Sequence, residues 1–211
     1  MERQWILLGC YICKYEECPE YLNNLSEKIL SVSGCLCTHE PQIFFCHGWK
    51  PNGDNKEYIE KCFTSEEQYL KMSEEITHLL HEGLFYTDGR FINLENARHF
   101  YENYFNGKDY KLVAVRIESK FYESLCDDLH INKDVLVANV GASIGCDIIG
   151  WDISGFHSFL CNSLHEGFPD IKFNDYGLMD EEYSVAEDIS IKIQGQGEPV
   201  DWIPVEISLC N

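Results

Sequence analysis

Three side chains in "FHSFLCNSLHEG" (156–167) could do chemistry together, because His157, Cys161 and His165 recur at four-residue steps. On a helix that spacing makes one stripe, since side chains four apart stand one above the other. A thiol beside an imidazole, with a carboxylate to orient the imidazole, is the arrangement of a Cys–His nucleophile. Asp152, five residues before His157, supplies the carboxylate. Cys161 as nucleophile, His157 as base and Asp152 as orienter therefore define one reading, an enzyme of hydrolase or transferase type. The same stripe could begin a zinc site. A plainer reading stands against both. On a helix over 154–167, started by Ser154 and ended at Gly167, the residues Phe156, Leu160 and Leu164 form the apolar face. His157 and Cys161 then border that face, where both types tolerate partial burial. No Gly-rich oxyanion turn surrounds Cys161, so the expectation is that His157 and Cys161 pack and that no catalytic residue is assigned.

The other cysteines invite a metal or redox reading. Cys10 and Cys13 are spaced as CxxC, and Cys18, Cys35, Cys37, His39, Cys46 and His47 follow. But Cys10 and Cys13 lie inside "WILLGCYIC" (5–13), an almost unbroken apolar run that reads as a strand buried on both faces. In a strand they point to opposite sides, and neither meets the N-terminus of a helix. The CxxC spacing is not repeated, so no metal site and no cofactor are expected. Signatures for nucleotide, zinc-protease, serine-hydrolase and dinucleotide chemistry are absent from the sequence.

Charge points elsewhere. The chain carries 36 acidic and 16 basic side chains, a formal net charge of −20, and most of the excess lies after residue 120. Such a field repels nucleic acid and anionic membrane and attracts basic proteins. Asp180, Glu181, Glu182, Glu187 and Asp188 are the candidate partner-binding residues. They belong to "MDEEYSVAEDISIKI" (179–193), which reads as a helix with Tyr183, Ala186, Ile189 and Ile193 inward. The alternative for this acidity is solubility alone. Eleven cysteines, an odd number, with no export signal recognised in the opening residues, fit reduced thiols and a cytoplasmic location.

The elements that must position these residues read as an α+β fold in a single domain over 1–211, with a mixed or mainly antiparallel sheet and several packed helices. "CPEYLNNLSEKILSV" (18–32) has apolar residues at helical steps, and "PQIFFCHGW" (41–49) reads as a strand followed by a turn over 50–57. Ser65 and Gln68 form a capping box for a helix whose stripe is Tyr69, Met72, Ile76, Leu79 and Leu80, with Gly83 to end it. A second helix is expected over 93–105, a strand over 110–119 and a helix over 119–129. Strands over 134–140 and 146–153 are joined by "GASIG" as a hairpin. A last strand, "WIPVEISLC" (202–210), is placed at a sheet edge by Pro204.

"DIIGWDISGFHSFLCNSL" together with "FNDYGLMDEEYSVAEDI" resembles a pattern found in small bacterial proteins of uncharacterised role, including immunity proteins of polymorphic-toxin systems. The similar part spans about residues 146–190. The resemblance implies toxin neutralisation and carries no catalytic role onto any position. The function expected is therefore that of an acidic cytosolic inhibitor or immunity protein that occludes a basic toxin or effector. An enzyme using Cys161 and His157, or a phage-encoded inhibitor of a bacterial system, are the alternatives.

Overall fold

The computed structural model describes residues 3–22, 24–36, 65–107, 109–125, 129, 140–152 and 155–210. The expected strand over 41–49, the turn over 50–57 and nearly all of the strand over 134–140 lie outside the described residues, as do Ser154, Cys37, His39, Cys46 and His47.

The fold is α+β, as the sequence suggested. Strand β1 (Trp5–Lys14) is followed by the short β2 (Glu16–Glu17) and β3 (Lys28–Ile29). Then come α1 (Glu66–His81), α2 (Leu94–Tyr104), β4 (Tyr110–Glu118), β5 (Ala142–Asp152), β6 (Gly155–Ser158), α3 (Tyr183–Lys192) and β7 (Ile203–Leu209). Five strands form one antiparallel sheet in the order β1-β4-β7-β5-β6, and β2 pairs with β3 in a separate ribbon. The helices lie on one face. α2 packs on β1 and β4, and α3 packs on β7 and β5. The stripe of α1 joins the first of these cores, with Tyr69, Met72 and Ile76 against Cys10, Ile12 and Phe100. The opposite face of the sheet holds Ile6, Val113, Val115, Ile149, Phe156 and Ile207, covered by Leu30, Val32, Leu125 and Leu178. Both faces of β1 are thus buried, which is why its sequence is apolar without alternation. Cys10 and Cys13 point to opposite sides, into different cores.

Local signals explain the helices that form as expected. The Ser65 side chain accepts from the Gln68 N–H, and Asn93 caps α2 in the same way through Asn96. Gly83 and Gly107, both at positive φ, follow α1 and α2.

Several expectations fail for tertiary reasons. The 18–32 segment is not an α-helix but a 3-10 turn at Glu20–Leu22 and the strand β3. Ile29 packs beneath α3 while Leu30 packs on the other sheet face. That alternation between successive residues needs an extended chain. The 119–129 segment makes a 3-10 helix at Ser119–Ser124 rather than an α-helix. "GASIG" is no hairpin loop. Its last four residues, 142–145, lie in β5, with a register shift between Ser143 and Gly145, and Gly145 sits at φ +141° where Leu178 and Met179 leave no room for a Cβ. The expected helix over 154–167 is instead β6, hydrogen-bonded to β5 as a tight hairpin, followed by turns and a 3-10 segment at Leu164–Gly167.

The expected edge strand is central: β7 lies between β4 and β5. Pro204 is tolerated there because the β4 pairing ends at Glu206, so the ring lies where only β5 is paired. The Pro204 carbonyl accepts from the Tyr183 hydroxyl at 2.9 Å. α3 begins at Tyr183 rather than near 179, since Met179 exchanges both backbone hydrogen bonds with Cys146 and is held extended. Among the described residues no helix is long and apolar enough to cross a membrane.

Candidate functional site

The hairpin dissolves the stripe that the sequence suggested and replaces it with two separate contacts. Gly155 faces Asp152 and His157 faces Gly150 across the β5–β6 pair, so Asp152 and His157 are diagonal neighbours on one face. The His157 Nε2 lies 3.2 Å from Asp152 Oδ2. The carboxylate offered for lying five residues before His157 is thus in contact with it, brought there by the β5–β6 register and not by a helix.

Cys161 lies beyond β6 in the following turn, and its Sγ is 3.1 Å from the Ser33 hydroxyl. Burial pushes its thiol up to about 11, against the opposing pull of Ser33. A thiol held protonated at neutral pH is a poor nucleophile, and its hydrogen bond goes to Ser33, not to an imidazole. His165 sits in the 3-10 segment, edge-on to Phe159 and Phe173, and burial lowers its pKa. His157, Cys161 and His165 therefore occupy three different local structures. What survives is a carboxylate-oriented imidazole, two of the three members of a nucleophilic triad.

Beneath the hairpin is a buried acid that no sequence signal marks. Asp147 lies within β5, and its Oδ1 accepts from the Ser158 hydroxyl at 2.9 Å and from the Ile148 N–H at 2.7 Å. Burial raises its pKa to about 7, more than those two hydrogen bonds lower it. Among the described residues no cation pairs with it. Within the same set, no group of three His, Cys, Asp or Glu side chains is arranged to hold a metal ion.

The acidic residues around α3 divide into two kinds. Glu187 is half-buried and engaged internally, with Oε1 at 2.6 Å from the Lys120 ammonium, which also meets Glu118 at 3.0 Å. Its charge is balanced within the fold. Asp180, Glu182 and Asp188 are exposed and make no ion pair among the described residues. Glu181 is half-buried, and Glu182 is the N-cap residue of α3, so 180–182 precede the helix instead of forming its first turn.

Past these charges, near the C-terminal end of α3 and next to Lys192, stands a residue the sequence reading passed over. Ile191 is 63% exposed, the most open of the large apolar side chains described. It lies three residues after Asp188, and that spacing puts both on the outer side of α3, while the half-buried Val185 packs against the core at the border of that side. The signal was present in the sequence. With Tyr183, Ala186, Ile189 and Ile193 turned inward, Ile191 has no place on the buried face.

Comparison of the chain with known protein families, with curated proteins and with solved structures finds no match.

Proposed function

We propose that this chain is a cytoplasmic protein-binding protein that neutralises a basic partner by occlusion, as an immunity protein or other inhibitor does. The observation that carries the reading is the outer side of α3, with an exposed isoleucine near its C-terminal end, Asp188 one turn before it, and Asp180 and Glu182 ahead of the helix, three carboxylates that make no ion pair among the described residues. An apolar side chain on the surface is a candidate anchor, because desolvating it on contact contributes to the lifetime of a complex. The exposed carboxylates of Asp180, Glu182 and Asp188 raise the encounter rate with a basic surface and disfavour acidic ones. The net charge of −20 extends that attraction beyond the contact itself. Asp180, Glu181, Glu182 and Asp188 form the rim, while Glu187 serves mainly the internal network with Lys120.

The test is capture from an extract of the source cell with three baits in parallel: the wild type, Ile191→Ser, and the neutralised Asp180→Asn, Glu182→Gln, Asp188→Asn variant. A basic protein retained by the wild type and lost by both variants supports the proposal. The same proteins on all three baits would count against it.

A second reading, an enzyme, is favoured only by the Asp152–His157 pair. It retains His157 as a base oriented by Asp152 and loses Cys161 as the nucleophile that imidazole would activate.

A further inference from the structure

Acids outnumber bases by 36 to 16 in this chain, yet five cations, Lys28, Arg98, Lys111, Lys172 and Lys192, make no ion pair among the described residues, and two of them share one pocket. Arg98 and Lys111 both line this pocket, of about 360 Å³. The pocket lies where the C-terminal half of α2 meets the start of β4 and the residue that follows β7. Arg98, Tyr101 and Glu102 come from α2, Asn106 from the turn after it, Lys111 from β4, and Cys210 from beyond β7. Its volume is that of a small-molecule site, at the lower end of the usual range.

The chemistry of the walls narrows the ligand. The Tyr101 hydroxyl is already used, donating to the Tyr110 carbonyl at 3.1 Å. Cys210 donates to the Val140 carbonyl at 2.7 Å, and burial pushes its thiol up to about 11 despite Arg98 and Arg116. The floor is therefore neutral. Two cations and the single carboxylate of Glu102 leave the walls with one net positive charge, inside a protein whose overall field is negative.

We infer that this pocket binds a small ligand carrying one oxyanion, a carboxylate or a phosphate, taken up by Arg98 and Lys111. Arg98 presents a planar fork that suits either head group, and Lys111 adds a point charge. Glu102 disfavours polyanions. This site is independent of the α3 surface, and its failure would leave that proposal untouched.

The experiment is titration of the whole protein with inorganic phosphate, acetate and benzoate at constant ionic strength, balanced with chloride and followed by backbone amide NMR. Saturable shifts are expected at residues 98–111 and at Cys210, with a dissociation constant of about 1 mM, in keeping with so few ligand atoms. Saturation by phosphate alone, or by the carboxylates alone, supports the inference and names the head group. Arg98→Gln and Lys111→Gln should each weaken binding roughly tenfold, as expected for loss of a charge-assisted contact. Lys172→Gln, which removes an exposed lysine elsewhere, should leave it unchanged. The absence of saturable shifts with all three probes would overturn the inference. So would equal weakening by Lys172→Gln, or unchanged affinity in the Arg98 and Lys111 variants.

Discussion

Replacing Asp147 by Asn should make this protein more stable at neutral and alkaline pH, although it removes a hydrogen-bonded charge. In the fold Asp147 is 2% exposed and its pKa is raised to about 7 from 3.8, chiefly by desolvation. In the unfolded chain it ionises near 4. Below pH 4 it is protonated in both states and has no net effect. Between pH 4 and 7 the folded state holds a proton that the unfolded state has lost, so stability falls as pH rises. Above pH 7 both states are ionised and the full cost is present. About three pH units at 1.36 kcal/mol each give ~4 kcal/mol, an upper figure. Asn keeps an oxygen to accept from Ser158 and from the Ile148 N–H, and its NH2 replaces the acid O–H, so it mimics the protonated form without titrating. Urea unfolding of wild type and Asp147→Asn from pH 3.5 to 8.5 measures the difference. With a denaturant slope of about 2–3 kcal/mol/M, the midpoint of the variant should rise by roughly 1.5 M at pH 8. The two proteins should converge toward pH 3.5. A variant less stable than wild type by the same amount at every pH would refute the reasoning, since it would show that the ionised carboxylate itself supports the hairpin.

Other perturbations probe other parts of the fold. Arg90 is 2% exposed, bonded to Asp88 and to the carbonyls of Leu8 and Leu129. Arg90→Met should cost about 3–5 kcal/mol in urea unfolding by leaving the Asp88 carboxylate buried alone, and Asp88→Asn in the same chain should recover part of it. Full stability in the single variant would contradict this. A Cβ on Gly9 would fall 2.2 Å from Arg90 Cγ, so Gly9→Ala should destabilise by about 1–3 kcal/mol through overpacking. Cys161 should alkylate slowly near neutral pH and faster as pH approaches 11, behind the exposed Cys35 throughout. Rapid alkylation of Cys161 with a midpoint near pH 6–7, read by peptide mass spectrometry, would restore the enzyme reading. With the captured partner, Asp180→Lys, Glu182→Lys and Asp188→Lys together should slow association, and so should salt, which cuts the Debye length to about 3 Å at 1 M. Ile191→Ser should mainly speed dissociation. Association rates that ignore both charge and salt would mean that the acidity serves solubility alone.

The sequence made the elements with local signals legible. α1 and α2 carry their caps at Ser65 and Asn93 and a glycine after their ends, and β1 and β4 are apolar over the lengths they span. The failures share one cause. Apolar residues at four-residue steps, as at Phe156, Leu160 and Leu164, fit a helix. They fit equally a strand followed by turns, and only pairing with β5 decides. Pro204 looked like an edge marker because the sequence does not show where the β4 ladder stops. At the candidate sites, Asp152 and His157 were named together but for the wrong geometry. Cys161 was paired with His157 when its partner, Ser33, lies 128 residues away in the chain. Asp147 and Arg90 drew no notice, since burial of a charge depends on partners that come from distant segments. Ile191 could have been found, because a helix with four inward residues already assigned leaves it facing water.

The central claim is that the outer side of α3 is where a basic protein docks. Amide hydrogen exchange of the whole protein, with and without the partner recovered by differential capture, tests it most directly. Slowed exchange is expected at residues 180–182 and across α3 (Tyr183–Lys192), with little change on β6. Protection confined to the β5–β6 hairpin around Asp152 and His157, with α3 unchanged, would contradict it.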